Sequence, residues 1–320
     1  MEYRKLTNTD LAVSRLGLGT LTWGRDVTAP VARKLLHSFV SVGGNLIDTA
    51  PIYGSGMAER IIGSLMRHDV PREQLLIATK SGFSGSDTAG SDMRRETLLA
   101  DLAGSLKRLG TDYVDIWQLH AWDERIDEAL DALNYALSRG MTRAVGVCSF
   151  VGWQLGTAAT MQTLSVTDAA QLTVASSEYS LLARGAEVEL LPAAKYHGLG
   201  FFAWAPLGRG VLAGRYAAGA VPIDSRAASP GFEWYVEPYL NTKSAAVVDA
   251  ITHAAEGLGM ELPQVPLLWV RDAPGVSAVL LGARTPEQLQ PYLVAEDQTL
   301  PDEIISALDD ITGGSNMLRD

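Results

Sequence analysis

The chain has 320 residues, 47% of them hydrophobic and 20% charged, a composition typical of a globular protein with a large core. Its net charge of −11 disfavours binding to nucleic acid or to an anionic membrane, and a single cysteine, Cys148, excludes an intrachain disulfide and a zinc finger. No apolar segment approaches the roughly 20 residues that span a bilayer, and the first residues lack the apolar core of a signal peptide. A cytoplasmic protein without a metal site is therefore expected.

Short β-branched segments alternate along the chain with longer segments of helical periodicity, a pattern typical of a parallel sheet with crossover helices. Eight strands are predicted, at residues 15–20, 45–48, 75–80, 113–120, 144–148, 170–175, 200–205 and 276–281. Eight helices are predicted, at residues 30–42, 57–66, 93–109, 125–139, 151–164, 186–196, 263–271 and 286–293. No glycine-rich dinucleotide-binding turn follows the first strand, so the pattern favours a closed (β/α)8 TIM barrel of the α/β class over an open doubly wound sheet.

Two segments depart from this alternation. Residues 3–6 and 11–13 predict a short N-terminal β-hairpin ahead of the barrel. Residues 208–241, after the seventh strand, are too many for a simple βα connection and are rich in glycine, proline, arginine and aromatic residues. They are therefore expected to form a long functional loop at the C-terminal face of the barrel. No linker or repeat divides the chain, so one domain spanning residues 1–320 is predicted.

Polar side chains stand at the ends of three successive predicted strands. Asp48, Lys80 and His120 end the second, third and fourth strands, and Tyr53 follows Asp48 by five residues. Residues at the C-terminal ends of barrel strands converge on one mouth, where TIM barrels place their chemistry. Any one of these residues alone is more often a solvated loop residue or a structural one, but the joint arrangement predicts an active site.

Proton donation to a carbonyl oxygen is the chemistry that suits these four groups. Free tyrosine has a pKa of about 10, too high for an efficient donor at neutral pH. The ammonium of Lys80 is expected to lower the pKa of Tyr53 toward 7, while Asp48 keeps that lysine charged and oriented. His120 is expected to hydrogen-bond the substrate oxygen and to set its angle of approach.

Four stretches of sequence resemble the aldo-keto reductase superfamily. Residues 45–54 with Glu59 resemble the signature around the family's catalytic tyrosine, and residues 105–115 leading to His120 resemble its second signature. Residues 204–216 and 280–289 resemble its cofactor-binding segments. The resemblance covers nearly the whole chain and is strongest to the branch that contains bacterial reductases and potassium-channel β-subunits.

This resemblance implies an NADPH-dependent oxidoreductase that reduces an aldehyde or ketone to an alcohol, with Tyr53 as general acid. Asp48 and Lys80 would tune the tyrosine, and His120 would orient the substrate. NADPH, more than NADH, would lie extended across the barrel mouth, with Trp204 stacked on the nicotinamide and Arg284 paired with the adenosine 2′-phosphate. The implied cofactor-binding residues are Thr20, Ser149, Ser176, Trp204, Pro206, Leu207, Gly208, Gly210, Arg215, Arg226, Gly282, Arg284 and Gln288.

Several positions differ from the family pattern. Cys148-Ser149 replaces a pair that usually ends in Asn or Arg, and Ser176 stands where the family usually has Gln. Pro291 and Tyr292 stand where an acidic residue and Asn usually reach the adenine. Serine offers fewer directed hydrogen bonds than glutamine, so the nicotinamide and adenine contacts are expected to differ from those of the family.

Four aromatic residues in predicted βα loops are expected to line the entrance, namely Trp23, Phe83, Trp122 and Trp234. Such a wall suits an apolar, aromatic or ring-shaped carbonyl compound as the small-molecule substrate. Two alternatives stay open: a redox-sensing subunit that holds the cofactor with slow turnover, and a lyase or isomerase that uses Lys80 as a Schiff base. A homo-oligomer is compatible with the sequence, and neither nucleic acid nor membrane is an expected partner.

Overall fold

A closed barrel of eight parallel strands forms the centre of the computed structural model, which describes residues 1–83, 90–164, 171–216, 222, 227–228 and 233–313. The strands in chain order are β1 (Tyr3–Lys5), β2 (Ala12–Ser14), β3 (Leu16–Gly19), β4 (Leu46–Asp48), β5 (Leu76–Ser81), β6 (Val114–Leu119), β7 (Thr142–Cys148), β8 (Val174–Glu178), β9 (Gly200–Trp204) and β10 (Val276–Leu281). The barrel runs from β3 to β10 in sequence order and closes by parallel pairing of β10 with β3. The predicted TIM barrel is therefore confirmed.

Helices surround the barrel because each strand is followed by a crossover that packs back on its outer surface. They are α1 (Ala29–Ser41), α2 (Met57–His68), α3 (Arg95–Leu109), α4 (Ile126–Ser138), α5 (Gly152–Leu164), α6 (Leu190–Tyr196), α7 (Glu233–Val236), α8 (Thr242–Leu258), α9 (Gln264–Arg271), α10 (Pro286–Val294) and α11 (Asp302–Thr312). No helix in the described part of the chain is long and apolar enough to cross a membrane.

Side chains alternate between two cores along the barrel strands, since neighbouring residues of a strand point to opposite faces. On β6, Trp117 and Leu119 pack in the outer core between strands and helices, whereas Ile116 packs in the inner core. All six residues of β6 are buried, including the polar Asp115 and Gln118. The alternation also turns Gln118, two residues after Ile116, toward the barrel interior.

The predicted N-terminal hairpin is confirmed and closes one end of the barrel. β1 and β2 pair antiparallel, with Arg4 opposite Val13. Leu6 and Leu11 between the strands are buried, and both join the inner core of the barrel. Because β2 leads directly into β3, the hairpin lies at the N-terminal end of the strands and leaves the opposite mouth to the strand C-termini.

The structure corrects three predicted elements. β8 lies at Val174–Glu178 rather than at residues 170–175, and residue 170 falls outside the described residues. The polar Ser-Ser-Glu sequence hides this strand because β-branched residues do not mark it. The described parts of the long loop are partly helical, with 3-10 helices at Gly208–Ala213 and Glu237–Tyr239 on either side of α7. The predicted helices also left out α8, which directly follows the long loop, and α11, which lies after the last regular βα unit.

Candidate active site

The mouth of the barrel brings together the four polar residues predicted from the strand ends. Asp48 is the last residue of β4, and Lys80 lies near the end of the adjacent β5. His120 directly follows β6, with its amide bonded to the Ser81 carbonyl at 2.9 Å. Tyr53 begins a 3-10 helix, Tyr53–Gly56, in the loop after β4. The parallel register of these strands is what places the four side chains at one end of the barrel.

Lys80 connects the other groups through its ammonium. Its Nζ donates to Asp48 Oδ1 at 2.6 Å and to the carbonyl of Thr49 at 3.0 Å, and it lies 3.5 Å from the Tyr53 hydroxyl. The side chains of Lys80 and Asp48 are only 2% and 6% exposed. A buried charge needs a partner of opposite charge and hydrogen bonds, and Lys80 has both.

The phenol of Tyr53 stays protonated at neutral pH. Withdrawal from water raises its pKa above 10, Lys80 lowers it and Asp48 raises it again, with a net upward shift. The prediction that Lys80 brings this pKa toward 7 is therefore wrong for this structure. The physical reason is first the burial of the phenol, which outweighs the effect of Lys80, and then the geometry, since the ammonium is closer to the Asp48 carboxylate than to the phenol.

The charge state of Lys80 opposes the Schiff-base alternative. Burial is the largest single influence and lowers the pKa of its ammonium, but the Asp48 carboxylate, Tyr53 and Cys148 together raise it by more, so that the net shift is upward. A lysine nucleophile needs a depressed pKa to supply a free amine at neutral pH. Lys80 is instead held as a hydrogen-bonded cation.

His120 is a neutral imidazole in this site. Burial, followed by the charge of Lys80, lowers its pKa to about 3. Its ring lies edge-on to the ring of Tyr53 at 6.5 Å and 5.4 Å from the ring of Phe83, measured between centroids. Nδ1 is buried and has no hydrogen-bond partner among the described residues. A neutral imidazole carries one N–H, which is suited to donating a hydrogen bond to a substrate oxygen.

A change of His120 to Asn should remove an acid-dependent loss of stability. The pKa of histidine is about 6.5 in an unfolded chain, and the pKa of His120 is about 3 in the folded protein. At pH values between these two, the unfolded chain binds a proton that the folded chain does not. The free energy of unfolding therefore falls with falling pH, by at most about 1.4 kcal/mol per pH unit from this group. Urea unfolding at about pH 7 and about pH 5 should show a steeper loss for the unmodified protein than for His120→Asn. Equal slopes would mean that His120 is protonated in the folded protein.

Buried residues next to the four groups hold the barrel strands in place through hydrogen bonds. The sequence analysis did not predict all of them. Glu59 is fully buried and accepts hydrogen bonds from Thr79 at 2.8 Å and from Arg108 at 2.6 Å, which ties α2 and α3 to β5. Ser176 donates to Oε1 of Gln118 at 2.6 Å across the barrel interior. Gln118 was missed, although a polar residue between apolar neighbours in a buried strand is a signal of a buried polar contact.

A cavity of about 280 Å³ is lined by more than half of the residues implied for the cofactor. Its walls include three cations, Arg209, Arg215 and Arg284, the first of which the sequence did not single out, and also Tyr216 and Glu261. The residues implied for the cofactor that line it are Pro206, Leu207, Gly210, Arg215, Gly282, Arg284 and Gln288. Pro291 and Tyr292, which differ from the family pattern, line it as well.

The chain turns sharply beside this cavity. Gly208, Arg209 and Gly210 have φ of 53°, 59° and 101°, the left-handed region that favours glycine. The turn is held by the Gly210 amide, which donates to the Leu207 carbonyl at 3.0 Å. A Cβ at Gly210 would meet no atom closer than 3.6 Å, so backbone conformation rather than crowding requires glycine there. The residues present therefore fit an extended dinucleotide: cations for phosphates and a backbone turn that permits close approach.

The other residues implied for the cofactor lie at different places in the fold. Trp204 ends β9 and is half-buried, and Gly208 is buried within the turn. Thr20 is fully buried and donates its hydroxyl to the Asp48 carbonyl at 3.0 Å, so it supports Asp48 rather than facing the cavity. Ser149 is exposed with φ of 58°. The prediction for Arg226 lies outside the described residues.

The four predicted entrance aromatics do not share one position. Trp23 is fully buried in the outer core and does not line the entrance, because the chain turns back between Gly24 and Val27. Phe83 lies beside His120, and Trp122 is half-buried against Phe150 and Trp153. Trp234 is 60% exposed and packs edge-on against Tyr235. The described residues contain no group of three His, Cys, Asp or Glu side chains placed to hold a metal ion.

Comparison with known proteins agrees with this fold. The model of the aldo/keto reductase family matches residues 15–312. The chain is 34% identical over 326 residues to the uncharacterized oxidoreductase YrpG of Bacillus subtilis (strain 168), covering 98% of this chain and 97% of that protein. It is 32% identical to probable voltage-gated potassium channel subunits beta of Oryza sativa subsp. japonica, over 305 residues, and of Arabidopsis thaliana, over 312 residues, each covering 93% of this chain and 92% of the relative. The chain therefore belongs to the aldo/keto reductase family, a family of oxidoreductases.

Proposed function

We propose that this single-domain barrel is an NADPH-dependent reductase that converts an aldehyde or ketone to an alcohol. The observation that carries the proposal is the Lys80 ammonium, which contacts both Asp48 and the Tyr53 hydroxyl at the barrel mouth. A phenol beside a fixed ammonium suits proton donation to a developing alkoxide, because the ammonium stabilises the phenolate that remains.

Each polar residue then has a defined task. Tyr53 donates its phenolic proton to the carbonyl oxygen, and the phenolate left behind is stabilised by Lys80. Asp48 keeps Lys80 charged and pointed at the phenol, as their 2.6 Å contact indicates. The neutral ring of His120 donates its N–H to the same oxygen and orients the carbonyl. NADPH would supply the hydride that reduces the carbonyl carbon.

The cofactor would be held by the residues of the 280 Å³ cavity. The turn at residues 207–210 would lie along the pyrophosphate, with Arg215 as the phosphate cation and Trp204 beside the nicotinamide. Arg284 is 19% exposed at the cavity and lies 3.7 Å from Asp26, so it is already oriented by an acidic neighbour. A planar guanidinium binds phosphate through two parallel hydrogen bonds, which supports Arg284 as the 2′-phosphate ligand.

The aromatic residues near His120 support an apolar, ring-bearing carbonyl substrate. Phe83 packs on the imidazole itself, and Trp122 follows His120 by two residues. Apolar walls with a few oriented polar groups are typical of sites for small, weakly polar ligands. The test is NADPH oxidation, followed by the absorbance of the reduced cofactor, with aromatic and aliphatic aldehydes and ketones. Binding of NADPH with reduction of none of them would contradict the proposal.

A second candidate function rests on two of the relatives. The rice and Arabidopsis proteins are named probable voltage-gated potassium channel subunits beta, and each is 32% identical to this chain over the matched residues. A cofactor-binding subunit with slow turnover would bind NADPH tightly and hold it through a single slow round of oxidation. Single-turnover and steady-state rates on one carbonyl substrate separate the two functions.

Replacement of Arg284 by Ala should weaken NADPH binding about tenfold or more and leave NADH binding nearly unchanged. The two cofactors differ only in the 2′-phosphate, and a charge-assisted hydrogen bond contributes roughly 1.5–3 kcal/mol. Fluorescence titration of both cofactors against both proteins measures the four dissociation constants. Arg33→Ala is the matched control, because this exposed arginine pairs with Asp69 outside the cavity. An equal loss for NADPH and NADH would place Arg284 away from the 2′-phosphate.

A further inference from the structure

One arginine beside the cofactor cavity joins two distant parts of the chain. Arg209 forms a two-pronged ion pair with Glu178, through Nε to Oε1 at 2.8 Å and through its terminal nitrogen to Oε2 at 2.5 Å. Its other terminal nitrogen donates to the backbone carbonyl of Tyr235. The guanidinium carbon lies 3.7 Å from the ring centroid of Tyr235 and 5.1 Å from that of Tyr239. The side chain thus connects the end of β8 with residues 234–239.

These contacts engage all three nitrogens of the guanidinium. The side chains of Arg209 and Glu178 are only 12% and 16% exposed. Ion pairs withdrawn from water, with two parallel hydrogen bonds and ring stacking, are stronger than single exposed pairs. Since Glu178 already compensates its charge, Arg209 has less of its guanidinium left for a phosphate.

The backbone at this position also points to a role for the side chain. Arg209 has φ of 59° between two glycines that are also left-handed. A non-glycine residue in this region costs on the order of 1 kcal/mol, so glycine would be the less strained choice. The arginine is therefore explained by what its side chain holds and not by the turn itself.

The Arg209 side chain holds residues 234–239, which form a wall beside the cavity. Val236 is fully buried against Val211 and Tyr216, in a small cluster that Tyr235 and Tyr239 also join. Tyr216 and Arg209 both line the cofactor cavity. Residues 234–239 therefore pack directly behind the cavity lining, and Arg209 attaches them to Glu178 at the end of β8, where the Tyr239 side chain also hydrogen-bonds Glu178.

We propose that Arg209 is a positioning residue that fastens residues 234–239 to Glu178 and thereby slows the release of the dinucleotide. The inference rests on the proposed function, because it takes NADPH as the ligand of this cavity. Loss of the attachment loosens the wall, and Glu178→Gln causes this loss without removing a residue that lines the cavity. The expected effect is on the dissociation rate, which is where most changes in affinity between related complexes occur.

Stopped-flow fluorescence with NADPH tests this role of Arg209 on the full chain. Arg209→Gly keeps the left-handed backbone and removes the guanidinium that holds residues 234–239. Glu178→Gln keeps the shape of the side chain and removes its negative charge. Both should raise the NADPH dissociation rate about tenfold, and the double variant should show less than the product of the two effects. Arg209→Lys, which cannot form the fork or stack as a plane, should fall between Arg209→Gly and the unmodified protein.

A matched control lies elsewhere in the fold. Arg184 makes the same two-pronged contact with Glu187 and stacks 4.8 Å from the ring of Trp269, outside the cavity lining. Arg184→Gln should lower the free energy of unfolding and leave the NADPH dissociation rate unchanged. If Arg209→Gly and Glu178→Gln also lower only stability, the inference is overturned while the proposed function stands. If the unmodified protein binds neither NADPH nor NADH, the proposed function fails and this inference fails with it.

Discussion

The Tyr53→Phe variant should lose nearly all carbonyl reduction while its affinity for NADPH and its stability change little. The substitution removes one hydroxyl, which lies 3.5 Å from the Lys80 ammonium, and keeps the ring that packs against the core. A positioned general acid contributes about 10²- to 10⁴-fold to the rate, so kcat should fall by that factor. The neutral phenol has no charge to lose, so the dissociation constant of NADPH should stay within about twofold.

A second tyrosine offers the control for this prediction. Tyr179 is buried outside the four-residue group, and its hydroxyl donates to Glu187 at 2.7 Å. Tyr179→Phe should lower the free energy of unfolding by roughly 1–3 kcal/mol, because a buried carboxylate loses a hydrogen bond, and should keep kcat. Steady-state rates, NADPH titration and urea unfolding on both variants separate catalysis from folding. Substantial turnover by Tyr53→Phe would mean that another group donates the proton.

The location of the site follows from the sequence because buried parallel strands read as apolar segments that end abruptly in a polar residue. Asp48, Lys80 and His120 are such endings, and the eight-fold alternation already places strand ends on one mouth. The pKa of Tyr53 could not be predicted in the same way. Its direction is set first by the burial of the phenol and then by the charges of Lys80 and Asp48. Neither the burial nor the distances of 2.6 Å from Lys80 to Asp48 and 3.5 Å from Lys80 to Tyr53 can be read from the sequence.

Long-range contacts mark the limit of what the sequence predicts. Glu178 and Arg209 are 31 residues apart, and neither stands out as one half of a pair in the sequence. The predicted entrance position of Trp23 failed for a related reason. A βα loop is normally exposed, but the Gly24 amide donates to the Val27 carbonyl at 2.8 Å, and this tight turn folds the indole into the outer core. Local patterns predict elements and their ends, whereas these side-chain positions depend on how the loops close.

Single changes of the buried Asp48–Lys80 pair should each cost about 3–5 kcal/mol of the free energy of unfolding. With side chains only 6% and 2% exposed, removal of one partner leaves a buried charge without compensation. The double variant Asp48→Asn/Lys80→Met should lose less than the sum of the single variants, because no isolated charge remains. Urea unfolding of the four proteins measures this coupling. Additive losses would mean that the two charges do not interact.

The free energy of unfolding of Asp48→Asn at alkaline pH tests the same charge pair more directly. In the unmodified protein the folded pKa of Lys80 lies above its usual 10.5, so the stability from this group is complete below that pH and is lost above it. Without the Asp48 carboxylate, burial is the largest remaining influence and lowers the folded pKa of Lys80 below 10.5. The unfolded chain then binds more protons than the folded one, so the free energy of unfolding of Asp48→Asn should rise with pH up to about 10.5, by at most about 1.4 kcal/mol per pH unit. The unmodified protein has no such rise from Lys80, and matching profiles for the two proteins would show that Asp48 does not set the charge of this lysine.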